Sequence, residues 1–474
     1  MRRTFLGIGI FAAGCIPGLA VAHGFGQKID LPVPLYLYLF GGGAVVALSF
    51  ILLGLLPGHL SERLHTYPVL NLTQFRWFRI ISSSAGTGVL KACFVALLLV
   101  ALGSGFFGNQ NPASNLLPTV VWVLFAVGVT FVSAFVGNIW AVINPFKTLY
   151  EYGEAALRAM GVMWKAEPVP VRWGFWPAVL LFFAFRWIEN VSLMSSEPAV
   201  LATFILMYAF ITFACMGMFG KDEWLQRGDP FSVFFSFLSR FSITEVREEN
   251  MQSRVYLRPP AVGLLNQKTS TSGMLFVLLM LSTVAADGVL STPLFQNFFT
   301  TALDAGLSWY AAGTIGLSAL YGIFVAVYYG FSYLTKVVSG DASSTVEVAR
   351  RFVYSLLPIS IAYEVAHYVS ILVIEGQRIV YLISDPFGRD WNLFGTAAYE
   401  INYAALNLKM LWNVQVGLIV VGHVIAVLIA HAIARRYFGD DRKALVSQYP
   451  MLLLMVLYSI LSLWIMAQPI VAVE

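Results

Sequence analysis

Six ionisable side chains stand within or at the ends of apolar stretches of this sequence: Arg186, Glu189, Asp287, Glu364, His367 and His423. Ionisable groups at membrane depth are costly, and they normally face other polar groups inside a bundle. Glu364 and His367 are three residues apart, which puts them about 60° from each other on one helix face. Arg186 and Glu189 repeat that spacing. His423 lies near the middle of the following apolar run. Two imidazoles and a carboxylate therefore reach similar depth on helices consecutive in sequence, which are often neighbours in space.

Two imidazoles with one or two carboxylates can bind a divalent transition metal such as Zn, Fe, Mn or Cu. A Glu-x-x-His pair on one helix recurs in bundle-core metal sites, and a metal there makes hydroxide from bound water near neutral pH. In this reading His367, His423 and Glu364 are the metal ligands. His431, two turns from His423 and ~12 Å along the axis, is too far to share the ion. Two other readings use the same residues. Arg186–Glu189 is then an internal ion pair and Glu364–His367 a hydrogen-bonded helix contact, or the set forms an ion or proton route.

The elements that must hold these groups are transmembrane helices. Charged residues make up 11% of the chain, against roughly 25% in soluble domains, and the mean hydropathy is +0.76. A helix needs about 20 apolar residues to cross the hydrocarbon. Candidate spans lie at 32–56, 88–107, 118–142, 174–193, 198–219, 272–290, 308–334, 352–374, 410–433 and 449–468. The fold class is therefore all-α, a polytopic bundle of about ten helices whose partner is the lipid bilayer. The net charge of +4 is sorted by side of the membrane and makes no case for nucleic acid. The three cysteines, Cys15, Cys93 and Cys215, form neither a disulfide framework nor a CxxC metal site.

The N-terminus reads as a signal peptide over residues 1–22. Arg2 and Arg3 form a basic start, Phe5 to Leu19 an apolar stretch, and Ala20-Val21-Ala22 an A-x-A cleavage pattern. Cleavage leaves His23 as the mature first residue. Its amine and imidazole could chelate copper with a third nitrogen, although the topology supplies no histidine on that side. The cleaved start fixes the orientation, placing both mature termini on the periplasmic side of a bacterial inner membrane. Of the 29 Lys and Arg, 22 then fall inside and four outside, as the positive-inside rule requires.

The largest inner loop, 220–271, contains Phe231 to Arg240, which reads as an amphipathic helix on the membrane surface. Its charged tail, Glu245 to Arg258, is too short for a domain. The largest outer loop, 375–409, is built of turn residues with Trp391 and Phe394 placed to lie against the bilayer. Gly41-Gly42-Gly43 lacks the Lys-Ser/Thr of a phosphate loop and reads as helix-packing glycine. Ser82-Ser83-Ser84 and Ser343-Ser344 read as helix caps or loop residues.

Several segments resemble bacterial membrane proteins known as fenitrothion hydrolases: His23-Gly-Phe-Gly-Gln27 with Asp30-Leu-Pro-Val-Pro34, Asn144-Pro-Phe-Lys-Thr-Leu149, and Ser384-Asp-Pro-Phe-Gly-Arg389 with Phe394-Gly395. Phe231-Ser-Val-Phe-Phe235 and Gln415-Val-Gly417 with Gly422-His423 are similar too. The resemblance implies an inner-membrane enzyme that cleaves the P–O–aryl bond of an organophosphorus triester, a small hydrophobic substrate. It carries no catalytic residues across. From residue type and depth alone, Glu364 would be general base or third metal ligand, Arg186 would polarise the phosphoryl group and Glu189 would orient it. The rival is a transporter or metal-handling permease that uses the same buried charges.

Overall fold

The computed structural model describes residues 31, 33–55, 67–162, 165–249, 252–265 and 268–468. The expected signal peptide, His23 with its copper reading, and the chain's final residues lie outside the described residues. Among those described, nine helices are long and apolar enough to cross a membrane. The chain is an all-α, multi-pass membrane protein.

The principal helices are α1 (Leu35–Leu55), α2 (Ser84–Phe107), α3 (Leu116–Phe135), α4 (Pro145–Ala159), α5 (Trp176–Asn190) and α6 (Pro198–Phe219). They continue with α7 (Lys221–Arg227), α8 (Pro230–Leu238), α9 (Thr271–Val289) and α10 (Trp309–Ser339). Last come α11 (Leu357–Ile374), α12 (Leu408–Phe438) and α13 (Tyr449–Ala467). Their starts are written in the sequence. Side chains of Ser83, Asn144, Asp229, Ser270, Ser308 and Asn407 accept hydrogen bonds from first-turn amides, satisfying donors that a helix start leaves open. Proline opens α4, α6 and α8, where its missing N–H costs nothing. Gly439, at φ 64°, closes α12 with its N–H on Arg435 O.

Two expectations about spans need correction. The run at 174–193 forms a helix of only 15 residues, α5, about 22 Å long and short of the ~30 Å hydrocarbon. It is nonetheless packed inside the bundle against α8, α9 and α10. The run at 118–142 stops at Phe135. After a turn, Trp140–Ile143 forms a separate short helix leading into α4.

The expected surface helix at 231–240 is buried. Pro230, Val233, Phe234, Phe235, Phe237 and Leu238 are all in the core. Phe231 packs edge-on against Phe125, Phe185 and Tyr208 at 4.9–5.2 Å, rings that lie well inside α3, α5 and α6. Phe237 instead meets Phe175 and Tyr354, beside the helix ends rich in basic residues. Helix α8 therefore runs from the middle of the bundle to its basic end. Helix α4 does the same: Phe146 meets Tyr208 at 4.9 Å, while Glu151 pairs with Lys221 at 2.9 Å. Both are re-entrant half-helices. The aromatic density of α8 accounts for its burial, because Phe on every side of a short helix signals a buried helix rather than a surface stripe.

At the basic end the charged segment forms a hairpin, β2 (Thr244–Glu249) with β3 (Gln252–Leu257), joined by β1 (Leu70–Asn71) in the antiparallel order β1-β3-β2. Arg258 fastens it, bridging Glu245 at 3.0 Å and bonding Ser242 O at 3.2 Å. The glycines at 42 and 43 do pack helices, since a Cβ at Gly42 would meet Leu463 at 2.6 Å.

Candidate functional site

Helix α11 has two working faces. On one, Ala362 and Ala366 lie against α12. Gly422 lets the helices approach so closely that a Cβ there would stand 2.3 Å from Ala362 Cβ and 2.9 Å from Pro358 O. Gln415 Nε2 seals the same seam by donating to Ala366 O at 2.8 Å. Glu364 is two residues, about 200°, from Ala362. With Tyr368, four residues on, it therefore points the other way, toward α5 and α9.

There the far halves of three helices assemble a cluster around Arg186. Its Nη1 stands 2.7 Å from Glu189 Oε2, a close ion pair without hydrogen-bond alignment. Its Nη2 bridges Asp287 Oδ2 at 3.0 Å, donates to Thr283 O at 3.1 Å and reaches Tyr368 Oη at 3.4 Å. Tyr368 donates its own hydroxyl proton to Asp287 Oδ2. The Arg186 and Asp287 side chains are each 6% exposed, and Glu364 is 5% exposed. Glu364 makes no hydrogen bond among the described residues and lies close to Arg186, Asp287 and Glu189. One guanidinium thus stands among three carboxyl groups.

The expected convergence is met for Arg186, Glu189, Asp287 and Glu364, and fails for the metal set. His367, His423 and Glu364 do not come together as a group that could hold a metal, and no such group of three occurs among the described residues. The reason is the choice of face. Helices α11 and α12 are neighbours as expected, but the seam between them is filled by Ala362, Ala366 and Gly422, with Glu364 on the reverse. His423 is fully buried, and its Nδ1 lies 2.8 Å from Ile419 O of its own helix. The His367 ring lies 4.7 Å from the Tyr368 ring and 6.2 Å from that of Tyr363, so it borders the cluster through tyrosine. Arg186 is also poorly placed to polarise a substrate, because its terminal nitrogens already face two carboxylates.

Sequence reasoning missed Tyr368 and Thr283. Tyr368 was within reach of it, lying four residues from Glu364 on the same face. The pair of Tyr208 and buried Asp229, 2.5 Å apart in mid-bundle, is also not legible in the sequence, because Asp229 falls in a stretch that reads as an inner loop.

At the basic end a separate ion network ties α2, α4 and α7, with Glu151 bonded to Lys221 at 2.9 Å and to Lys91 at 3.2 Å. Partial burial pushes the Glu151 carboxyl up, but the hydrogen bonds from the two lysines outweigh it and hold the group below its ordinary range.

A scan against family models finds no match to the chain, and searches of curated proteins and of solved structures find none either.

Proposed function

We propose that this chain is a proton-coupled membrane transporter whose proton-carrying centre is the Arg186, Glu189, Asp287 and Glu364 cluster. One observation carries the reading: Arg186 pairs with both Glu189 and Asp287, while a third carboxyl group nearby, that of Glu364, is buried with no hydrogen bond among the described residues. Surplus negative charge in a low-dielectric bundle is expensive. A proton is the counter-charge that suits a cluster lacking a metal-type ligand set. Gain or loss of that proton changes the net charge beside Arg186, which gives α5, α9 and α11 two electrostatic states. The basic end then faces the cytoplasm of a bacterial inner membrane, and the cluster lies in the periplasmic half of the bundle. The test is charge movement on solid-supported membranes. A pH step should give a transient current with wild type and none with Glu364→Gln. Equal currents from both proteins would end this reading.

The second reading is a membrane-embedded organophosphorus triester hydrolase, as the resemblance implies, with Glu364 as general base. The same freedom of Glu364 from hydrogen bonds favours it, since a base must have a lone pair to offer. Release of nitrophenolate from a nitrophenyl triester, followed by absorbance and lost in Glu364→Gln, would support it. No release above that variant removes it.

A further inference from the structure

Lys147 is the exception in the ion network of α2, α4 and α7. It stands in the first turn of the re-entrant helix α4, next to Phe146, which meets Tyr208 halfway along α6. Lys91, Glu151 and Lys221 lie near it on the side of the basic end. A lysine in such a place ordinarily extends its ammonium toward water. Lys147 instead turns back, donating from Nζ to Ala141 O at 3.1 Å, a carbonyl that precedes the helix start. Among the described residues that carbonyl is its one hydrogen-bond partner, and no carboxylate stands within ion-pair distance of it.

The carboxylates around it have other cations. Glu151 is held by Lys221 at 2.9 Å and by Lys91 at 3.2 Å, Asp222 lies near Lys221, and Glu154 bridges Arg158 at 2.8 Å. Glu151 and Asp222 thus balance Lys91 and Lys221, and Lys147 remains as one surplus positive charge. An ionised group at membrane depth is costly and is normally paired, so an unpaired one points to a ligand. The ammonium is also within reach. Lys147 is half-buried, Ala141 and Val142 beside it are exposed, and the side chains of Lys91, Glu151 and Lys221 keep 28%, 27% and 22% of their surface. The network is open rather than sealed.

Charge and donors define what would fit. One surplus ammonium calls for a monoanion. An ammonium offers three donors and no acceptor, so the ligand must present oxygen lone pairs in several directions, as a singly ionised phosphate group does. We propose that Lys147 binds one phosphate monoanion, reached from the basic end, with Lys91 and Lys221 placed to meet its remaining oxygens. Two sources share that chemistry, the headgroup of an anionic phospholipid and free inorganic phosphate. Basic pockets between transmembrane helices hold headgroups of the first kind. The site lies toward the opposite end of the bundle from the Arg186 cluster and does not rest on the proton reading.

Calorimetric titration of the full chain in detergent tests this with dioctanoyl phosphatidylglycerol, with inorganic phosphate, and with dioctanoylglycerol, which has the same chains and no phosphate. At least one of the two phosphate probes should bind saturably at one site per chain. Binding of the phospholipid alone identifies a headgroup site, and binding of inorganic phosphate identifies a site for the free ion. Lys147→Gln should weaken the binding at least about tenfold, the worth of a hydrogen bond to a charged group. Lys147→Arg, which keeps the charge, and Lys443→Gln, at an exposed lysine elsewhere, should retain it. No saturable binding of either phosphate probe, equal binding of dioctanoylglycerol, or binding unchanged in Lys147→Gln would overturn the proposal. A second measurement needs no variant: acetylation of wild-type lysines by N-hydroxysuccinimidyl acetate, read by mass spectrometry. With the bound probe at ~10 times its Kd, acetylation of Lys147 should slow about tenfold, while that of Lys443 stays unchanged. Equal acetylation of Lys147 with and without the probe would refute the site.

Discussion

Along α5 the side bearing Leu181, Ala184, Phe185 and Ile188 borders open space, whereas the side bearing Arg186 and Glu189 is closed by Asp287, Thr283 and Tyr368. The width of one helix thus separates a cavity from an ion cluster centred on Arg186. The difference follows from what each face would lose by being left open. An apolar wall loses only contacts, which lipid or an apolar ligand replaces at little cost. A charged wall loses its counter-charges, and no component of the hydrocarbon restores them. Space is therefore tolerated on one side of α5 and excluded on the other.

That contrast predicts a graded response to substitution. Arg186→Gln leaves three carboxyl groups without their cation and should cost about 3–5 kcal/mol, read from thermal or denaturant unfolding in detergent. Arg186→Lys should recover only part of it, because a single ammonium cannot reproduce the fork that meets Glu189 and Asp287 together. A loss under about 1 kcal/mol in Arg186→Gln would show that the cluster is not electrostatically closed. Tyr368→Phe removes one donor to Asp287 and should cost about 1–3 kcal/mol in the same assay. On the opposite side, Ala184→Leu projects into the cavity and should stay within about 0.5 kcal/mol of wild type. A large loss there would mean that the cavity face is as tightly fitted as the charged one.

The smallest expected effect lies at the basic end, where water screens the ions. The Glu151 carboxyl is held below its ordinary value near 4.5 by Lys221 and Lys91. Its contribution is therefore present above that value and is lost as pH falls through the lower value of the folded state. Unfolding midpoints of wild type should drop more steeply below pH ~4.5 than those of Glu151→Gln. Parallel curves would remove the lysines' influence.

Much of this organisation was readable from residue type and spacing. The helical class, most of the spans and the gathering of Arg186, Glu189, Asp287 and Glu364 followed from apolar run length and from the cost of burying charge. Depth along each helix was predictable; the direction a residue faces was not. Glu364 and His423 share a depth, but Ala362 and Gly422 took the seam between α11 and α12 because small residues permit the closest approach. That choice turned Glu364 away from both His423 and any shared metal. The re-entrant course of α4 and α8 was hidden for a similar reason. Neither half-helix is long enough to register as a span, and burial of Asp229 depends on Tyr208, a residue 21 positions away.

Proton flux into reconstituted vesicles tests the central claim most directly. Vesicles containing a trapped pH indicator are given an inward proton gradient, with wild type, Glu364→Gln and Glu375→Gln compared at equal protein content. Glu375 is the control because it is also acidic and on the same chain segment, but it sits at the end of α11, paired with Arg378. The account predicts flux in wild type and Glu375→Gln, and at least a tenfold loss in Glu364→Gln. Flux in Glu364→Gln equal to wild type, or wild-type flux no greater than that of empty vesicles, would contradict it.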